Sequence, residues 1–155
     1  MSIFSNVAGR RTRKSKFNLS HEAKLSLNMA ELVPILCDEV LPGDKWRVNS
    51  EILMRFAPMI APMMHRVNVY THYFFVPNRI IWDGWEDFIT GGRQGTTFPE
   101  LPTLPMSDAY KVRFEKGKLP DYLGLPVMDS AETYTAEEKV SALPFRAYLE
   151  IYNEY

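Results

Sequence analysis

The stretch Val67–Phe88, "VNVYTHYFFVPNRIIWDGWEDF", changes its periodicity in the middle. From Val67 to Val76 the side chains alternate between two faces, which is the period of a β-strand. Both faces are largely apolar or aromatic, whereas a strand of a sheet with one wet side carries polar residues at alternate positions. The sequence therefore predicts a strand whose second face is covered by another layer of the protein or by another subunit.

The second half of this stretch predicts one or two turns of helix. Ile81, Trp85 and Phe88 are spaced i, i+4 and i+7, and Trp82 lies beside them. The pair at 91–92, two glycines, is expected to end the helix, because glycine accepts the left-handed backbone of a helix C-cap.

Two earlier segments are also predicted to be extended. Trp46–Phe56 alternates between apolar and polar side chains, with Leu53 as the exception, which indicates one buried and one exposed face. Glu31–Val40 is expected to be a strand with Pro34 at an edge or a bulge. The turn sequence "LPGD", residues 41–44, separates the two.

The rest of the chain predicts a loop and two helices. The proline-rich stretch 98–126 is interpreted as a long connection that is ordered only where its aromatic side chains, Phe98 and Phe114 among them, pack against something. A short helix is expected to begin at Ala136, because Thr135 and Glu138 have the spacing of a capping box.

A second helix is expected after Pro144, and it is predicted to be amphipathic. No glycine or asparagine follows it as a C-cap, which indicates that this sequence was cut from a longer one. Its apolar stripe consists of Phe145, Tyr148, Leu149 and Tyr152.

The charge is distributed unevenly along the chain. The protein has 18 basic and 19 acidic residues and a net charge of −1, yet the first sixteen residues contain five bases and no acid. We interpret residues 1–16 as a flexible arm that contacts an anionic partner such as nucleic acid; a solvated leader is the alternative. The candidate contacts are Arg10, Arg11, Arg13, Lys14 and Lys16.

No constellation for catalysis is visible, so we predict no catalytic, cofactor-binding or metal-binding residues. The histidines lack partners at metal-ligand spacing, and "GGRQGTT" lacks the lysine of a phosphate loop. Three acids lie at i, i+3 and i+4 on one helix face and are interpreted as solvated. These histidines and acids are His21, His65, His72, Asp83, Glu86 and Asp87.

The single cysteine and the short apolar runs limit the class of protein further. Cys37 excludes an internal disulfide and is expected to be a small buried hydrophobe. The longest apolar run, "APMIAPMM", is far shorter than the roughly 20 residues that span a bilayer, so no membrane partner is expected.

Aromatic residues are the remaining feature of the composition that points to a function. Three tryptophans, nine phenylalanines and eight tyrosines favour protein interfaces, where large rings bury much area at a low entropic cost. An ordinary aromatic core is the alternative. The two-faced strand and the uncapped helix favour subunit interfaces, with Tyr70, Phe74, Trp82, Trp85, Phe88, Tyr148 and Tyr152 as candidates.

Four motifs carry a family resemblance: "LVPILCDEVLPGDKW", "YTHYFFVPNRIIWDGWEDFI", "LPDYLGLP" and "LPFRAYLEIYNEY". In this order they resemble the N-terminal part of the major capsid protein of the Microviridae, small single-stranded DNA phages, and within them the gokushovirus-like branch. The resemblance implies a mainly β fold: part of a viral eight-stranded antiparallel jelly roll with long loop insertions and short helices. Residues 17–155 would be the N-terminal part of that domain, apparently truncated.

The resemblance also implies a function. The subunit would assemble with other copies of itself into a small icosahedral shell around circular single-stranded DNA, together with other virion proteins. It would be found in the virion and made in the cytoplasm of the host bacterium, and it brings no catalytic residue and no cofactor. A nucleic-acid-binding β-domain that uses the basic arm is the alternative.

Overall fold

The structure is a computed structural model, and it describes residues 14–134 and 137–155. All regular elements of the described residues lie in the second half of the chain. In chain order they are helix α1, Asn78–Ile81; helix α2, Trp85–Thr90; strand β1, Thr103–Pro105; a 3₁₀ helix, Asp108–Arg113; helix α3, Leu119–Tyr122; strand β2, Lys139–Ser141; and helix α4, Leu143–Glu154.

Strands β1 and β2 pair antiparallel as a two-stranded ribbon in which Leu104 lies opposite Val140. One more backbone bond continues the pairing, from the N–H of Met106 to the carbonyl of Glu138 at 2.7 Å. A two-stranded ribbon is only marginally stable in water, so this one depends on the side chains packed beneath it.

A small hydrophobic core lies between this ribbon, the 3₁₀ helix and α4. Phe114 is 5 % exposed, and the ring of Phe145 meets it edge to face with the centroids 6.0 Å apart. The backbone N–H of Met128 donates to the carbonyl of Phe114 at 2.9 Å, which fixes the returning chain above the ring. The core consists of Met106, Phe114, Met128 and Val140, with Leu104, Tyr134 and Phe145 packed against it.

The position of this core supports the expectation that packing orders the proline-rich stretch 98–126. That stretch, interpreted as a long connection, supplies two of the four core residues, because short turns bring Phe114 and Met106 onto the ribbon. Of the two aromatic residues singled out there, Phe114 is buried as expected, whereas Phe98 is 70 % exposed.

A polar network holds the segment before β2 against the 3₁₀ helix. The carboxylate of Asp108 accepts from the backbone N–H of Tyr134 at 3.1 Å and lies 3.1 Å from the ammonium of Lys111, which also bonds the carbonyl of Glu132. The N–H of Tyr134, and secondarily Lys111, lower the pKa of Asp108. These contacts add to the packing of Tyr134 against the core and hold the segment in place.

The helices predicted from the aromatic stretch and from the chain end are confirmed. The first appears as the pair α1 and α2, and α2 ends at Gly91 with φ of 78°, the left-handed C-cap that was expected. The second is α4, which has Pro144 in its first turn. Proline is favoured there because the first helical N–H groups have no partner within the helix.

The prediction of a helix that begins at Ala136 is wrong for the residues that the structure describes. Thr135 and Ala136 lie outside the described residues, and Lys139–Ser141, which would have continued that helix, forms β2 instead. Val140 is 7 % exposed and pairs with Leu104, so burial against the core decided the conformation over the capping-box pattern.

The three segments predicted as strands carry no β-ladder in this structure. Glu31–Val40, Trp46–Phe56 and Val67–Val76 are neither helix nor strand among the described residues, and most of their side chains are exposed. A strand exists only through hydrogen bonds to a neighbouring strand, and these segments have none here. The predicted turn between the first two is present, since the N–H of Asp44 donates to the carbonyl of Leu41 at 3.1 Å.

Three hydrogen bonds from side chains to backbone carbonyls join residues at least 65 positions apart. Two of the donors are tyrosine hydroxyls, and they reach from the folded second half to the carbonyls of the first half. They join Tyr122 to Ser26 at 2.7 Å and Tyr148 to Leu32 at 2.8 Å; the third joins the guanidinium of Arg146 to the carbonyl of Ile81 at 2.9 Å.

The chain leaves an unusually large area exposed to solvent. Its accessible surface is 14551 Å², whereas a compact monomer of this mass, 17.9 kDa, exposes about 8,000 Å². Cys37 belongs to the exposed part, which contradicts its prediction as a buried hydrophobe. Among the described residues, no helix has the length and apolar character needed to span a membrane.

Candidate subunit interface

Three of the predicted interface residues come together at the α1–α2 corner. We call Trp82, Trp85 and Phe88 the tryptophan cluster; their ring centroids lie 5.2–6.3 Å apart. The corner is held by backbone bonds, from the N–H of Trp82 to the carbonyl of Asn78 and from that of Phe88 to Gly84, both at 2.9 Å.

Gly84 allows the indole of Trp82 to lie over the backbone at this corner. A Cβ atom at position 84 would be 2.8 Å from Nε1 of Trp82 and 3.3 Å from Pro99. Because these distances are too short for a methyl group, a larger residue at position 84 would displace the indole from the cluster.

The tryptophan cluster is partly open to solvent. Trp82 and Trp85 are half-buried, and Phe88 is exposed together with the neighbouring Ile80 and Ile89. The arrangement is therefore an aromatic surface with pre-positioned rings, which is what the centre of a protein interface requires.

Tyr70 and Phe74, also predicted at an interface, form a second cluster with two residues that were not predicted there. Tyr70, His72 and Phe74 follow one another at alternate positions, and the ring of Tyr155 packs edge-on against His72 at 5.0 Å and Phe74 at 5.7 Å. The hydroxyl of Tyr155 is hydrogen-bonded to Nε2 of His72 at 2.9 Å. The alternation of Val67–Val76 places His72 on the same face as Tyr70 and Phe74, whereas nothing in the sequence indicated that Tyr155 would contact them.

The remaining pair, Tyr148 and Tyr152, is stacked along α4 with ring centroids 6.3 Å apart, yet the two have different surroundings. Tyr148 is half-buried and donates to Leu32, and desolvation, then Tyr152 and Glu31, raise the pKa of its phenol. Tyr152 is 63 % exposed. Tyr148 is thus a tether within the chain, whereas Tyr152 belongs to the open surface.

An apolar groove of about 520 Å³ was not predicted from the sequence. It lies between two of the segments predicted as strands. The methionine-rich run "APMIAPMM" is the feature of the sequence that could have indicated it, since methionine adapts to irregular apolar surfaces. Nearby, the hydroxyl of Tyr73 donates to Oγ of Ser50 at 2.8 Å. The groove is lined by Met54, Phe56, Met59, Pro62, Met63, His65, Val67 and Val69.

The predicted nucleic-acid contacts are only partly within the described residues. Arg10, Arg11 and Arg13 lie outside them, and Lys14 and Lys16 are exposed. The carboxylates Asp83, Glu86 and Asp87 are exposed around the α1–α2 corner, and the residues that the structure describes hold no cluster of ligands for a metal ion.

Comparison with known proteins points to one family. The family model described as "Capsid protein (F protein)" matches residues 5–155. Three curated relatives are each named "Capsid protein VP1": the chain is 36 % identical to that of Chlamydia phage 1, 35 % to that of Bdellovibrio phage phiMH2K and 29 % to that of Spiroplasma virus 4.

These matches cover 98 % of the chain but only 25 %, 27 % and 26 % of the three relatives, so the chain spans about a quarter of their length. No solved structure gives a significant match. Capsid proteins are structural proteins, and it is this relationship that supports the prediction of a protein without enzymatic activity. This chain belongs to the phage capsid protein (F protein) family.

Proposed function

We propose that this chain forms part of a phage capsid subunit, which assembles with copies of itself into a closed shell. The observation that carries the proposal is the match of residues 5–155 to the capsid protein family. The accessible surface, which exceeds that of a compact monomer of the same mass by about 6,500 Å², agrees with it. A standard interface covers about 800 Å² on each partner, so an excess of this size leaves room for contacts both with the rest of the subunit and with neighbouring copies. The tryptophan cluster supplies ordered aromatic side chains for one of them.

The test is assembly of the complete gene product that contains this chain. Expressed in bacteria and examined by electron microscopy and sedimentation velocity, it should yield isometric particles. Ala replacement of both Trp82 and Trp85 should lower the particle yield, whereas replacement of the exposed Phe98 serves as the aromatic control. A product that stays monomeric at all concentrations would refute the proposal.

For the fold of the complete subunit we propose the antiparallel jelly roll that the resemblance implied. Its support is the alternation in Trp46–Phe56 and Val67–Val76 together with the contact between Ser50 and Tyr73, which sets these two segments side by side. In assembled particles, their backbone amides should exchange slowly with deuterium, because ladder hydrogen bonds protect them. Exchange as fast as in a free peptide would exclude strands there.

For the basic arm we propose contact with packaged single-stranded DNA. Its support is the five basic residues within residues 10–16. The logarithm of the constant for binding single-stranded DNA falls by about 0.7 per log unit of salt for each phosphate that the protein neutralises. Replacing all five bases with Gln should therefore lower the salt slope by about 3.5. The matched control replaces Lys116 and Lys118, which are exposed elsewhere. An unchanged slope in the arm variant would exclude this contact.

We further propose that the shell forms in the cytoplasm of the host bacterium and carries other virion proteins. The support is the naming of all three relatives as capsid proteins of phages or a virus. Purified particles analysed by mass spectrometry should contain further proteins encoded beside the capsid gene.

A further inference from the structure

The α1–α2 corner carries an apolar surface bordered by carboxylates. Ile80, Phe88 and Ile89 are exposed there, beside the half-buried indoles of the tryptophan cluster. Asp83 and its neighbours Glu86 and Asp87 are exposed on the same short segment. We call this surface, formed by residues 80–89, the acidic aromatic face.

The carboxylates of this face have no basic partner among the described residues. The ion pairs of that part of the chain are Lys24 with Glu22 and Lys111 with Asp108, and neither involves the acidic aromatic face. Arg146 donates to the carbonyl of Ile81 at the edge of this face but makes no ion pair with its carboxylates. Carboxylates that lack an ion-pair partner among the described residues and lie beside aromatic rings attract a cation with apolar neighbours.

Arginine fits such a surface better than lysine does. Its planar guanidinium donates to carboxylates in a bidentate manner and also stacks on aromatic rings, whereas the lysine ammonium is a strongly hydrated point charge. A segment that occupies the face should therefore combine several arginines with apolar side chains.

One segment of this protein has that composition. Residues 3–16, "IFSNVAGRRTRKSK", begin with the apolar Ile3, Phe4 and Val7 and continue with five bases and no acid. The remaining residues, 17–155, carry 13 bases and 19 acids, so the arm and the body have opposite charges.

We propose that the N-terminal segment, residues 3–16, docks on the acidic aromatic face. Its arginines neutralise the carboxylates and its apolar residues cover Ile80 and Phe88. This inference goes beyond the capsid role: the bases that bind the face are the same ones proposed to contact DNA, so the two contacts exclude each other. Docking would keep the arm off nucleic acid until a strand of DNA displaces it.

The first test is zero-length crosslinking of the 155-residue chain, in which the species with the mass of a single copy is isolated so that crosslinks between associated copies are excluded. A carbodiimide should join the amine of Lys14 or Lys16 to a carboxylate of residues 83–87, and mass spectrometry of the digest identifies the linked peptides. The crosslinks should disappear at about 0.5 M salt, where screening is effective beyond roughly 4 Å. Crosslinks from these lysines that are spread evenly over all exposed acids would overturn the proposal.

A matched pair of variants separates this face from acidity in general. In the double variant Glu86→Gln, Asp87→Asn the yield of crosslinks to this face should fall, because only Asp83 remains there as a carboxylate. The control, Asp38→Asn with Glu39→Gln, removes two exposed neighbouring carboxylates elsewhere and should leave the yield unchanged. Equal losses in both variants would contradict a specific site.

The second test uses the indoles of the face as reporters. In a Trp46→Phe background only Trp82 and Trp85 emit, and replacing Arg10, Arg11 and Arg13 with Gln should make them more accessible to acrylamide. Replacing Lys116 and Lys118, the control, should leave the accessibility of the two indoles to acrylamide unchanged. Unchanged quenching in the arginine variant would overturn docking while leaving capsid assembly untouched, so the two proposals fail separately.

Discussion

At the scale of single residues, Phe114 and Phe98 show that the contribution of an aromatic side chain to stability depends on its burial. Both belong to the proline-rich stretch, but Phe114 packs with Met106, Met128 and Val140, whereas Phe98 faces solvent. The two rings therefore contribute very differently to the free energy of folding.

We expect Phe114→Ala to lower the free energy of unfolding by about 3 kcal/mol, because it removes the central ring of the core and leaves a cavity. Phe98→Ala, the matched control, should change it by less than about 0.5 kcal/mol. Urea unfolding followed by circular dichroism measures both. Similar losses in the two variants would show that the core is not centred on Phe114.

Tyr148 links α4 to the first half of the chain through a single hydroxyl. Tyr148→Phe removes the bond to the carbonyl of Leu32 and should cost about 1 kcal/mol of stability. Tyr152→Phe is the control, because Tyr152 is exposed on the same helix. Urea midpoints at neutral pH compare the two variants, and a larger loss in Tyr152→Phe would contradict the assignment of Tyr148 as the tether.

The raised pKa of Tyr148 adds a pH dependence with a defined sign. Burial favours the protonated phenol in the folded chain, so the stabilisation is complete below the ordinary pKa of 10.0 and is lost as the pH rises through the raised value. Tyr148→Phe should therefore flatten the fall in stability between about pH 9 and about pH 11. A fall of unchanged steepness in the variant would show that other tyrosines cause it.

At the scale of elements, the end of α2 depends on a backbone conformation that only glycine adopts freely. Gly91 has φ of 78°, and a Cβ atom there would lie 2.9 Å from the Cα of Gly95. Gly95 has a similar φ, 71°, but open space around it. The two glycines therefore separate the cost of the left-handed conformation from the cost of the close contact.

Gly91→Ala should destabilise the α1–α2 corner by more than Gly95→Ala does. The left-handed conformation costs an alanine about 1–2 kcal/mol at either position, and the contact with Gly95 adds to this only at position 91. Thermal unfolding, with tryptophan fluorescence as the readout of the tryptophan cluster, compares the variants. Equal shifts of the midpoint would rule out the contact as a cause.

At the scale of the whole molecule, exposed apolar area governs behaviour in solution. The 155-residue chain exposes about 6,500 Å² more than a compact monomer of its mass, and the apolar groove adds an open cavity lined mainly by methionine and other apolar side chains. Apolar patches of a few hundred Å² are already enough to mark interaction sites or aggregation-prone surfaces.

We therefore expect the 155-residue chain to self-associate when it is expressed alone. Sedimentation velocity should show species larger than a monomer, and the hydrophobic dye ANS should bind strongly. The complete gene product should bind less dye per residue, because further chain and neighbouring copies cover the same surface. A stable monomer of 155 residues without dye binding would contradict this expectation.

Local patterns determined the local elements and the family. The spacing of Ile81, Trp85 and Phe88 predicted the helices at the α1–α2 corner, and the stripe from Phe145 to Tyr152 predicted α4, since helices form from contacts between near neighbours in sequence. The ordered motifs indicated the capsid family, and the comparisons confirmed it. The aromatic residues of the tryptophan cluster were identified for the same local reason.

Only the tertiary structure decided where the core lies and which residues meet across the chain. Val140 forms a strand where a helix was expected, because pairing with Leu104 and burial outweigh a capping pattern. The contact of Tyr155 with His72 joins residues 83 positions apart, and no local periodicity encodes such a distance. The predicted strand Val67–Val76 follows the same rule: alternation prepares the side chains, but a ladder requires a partner strand, and this segment has none among the described residues.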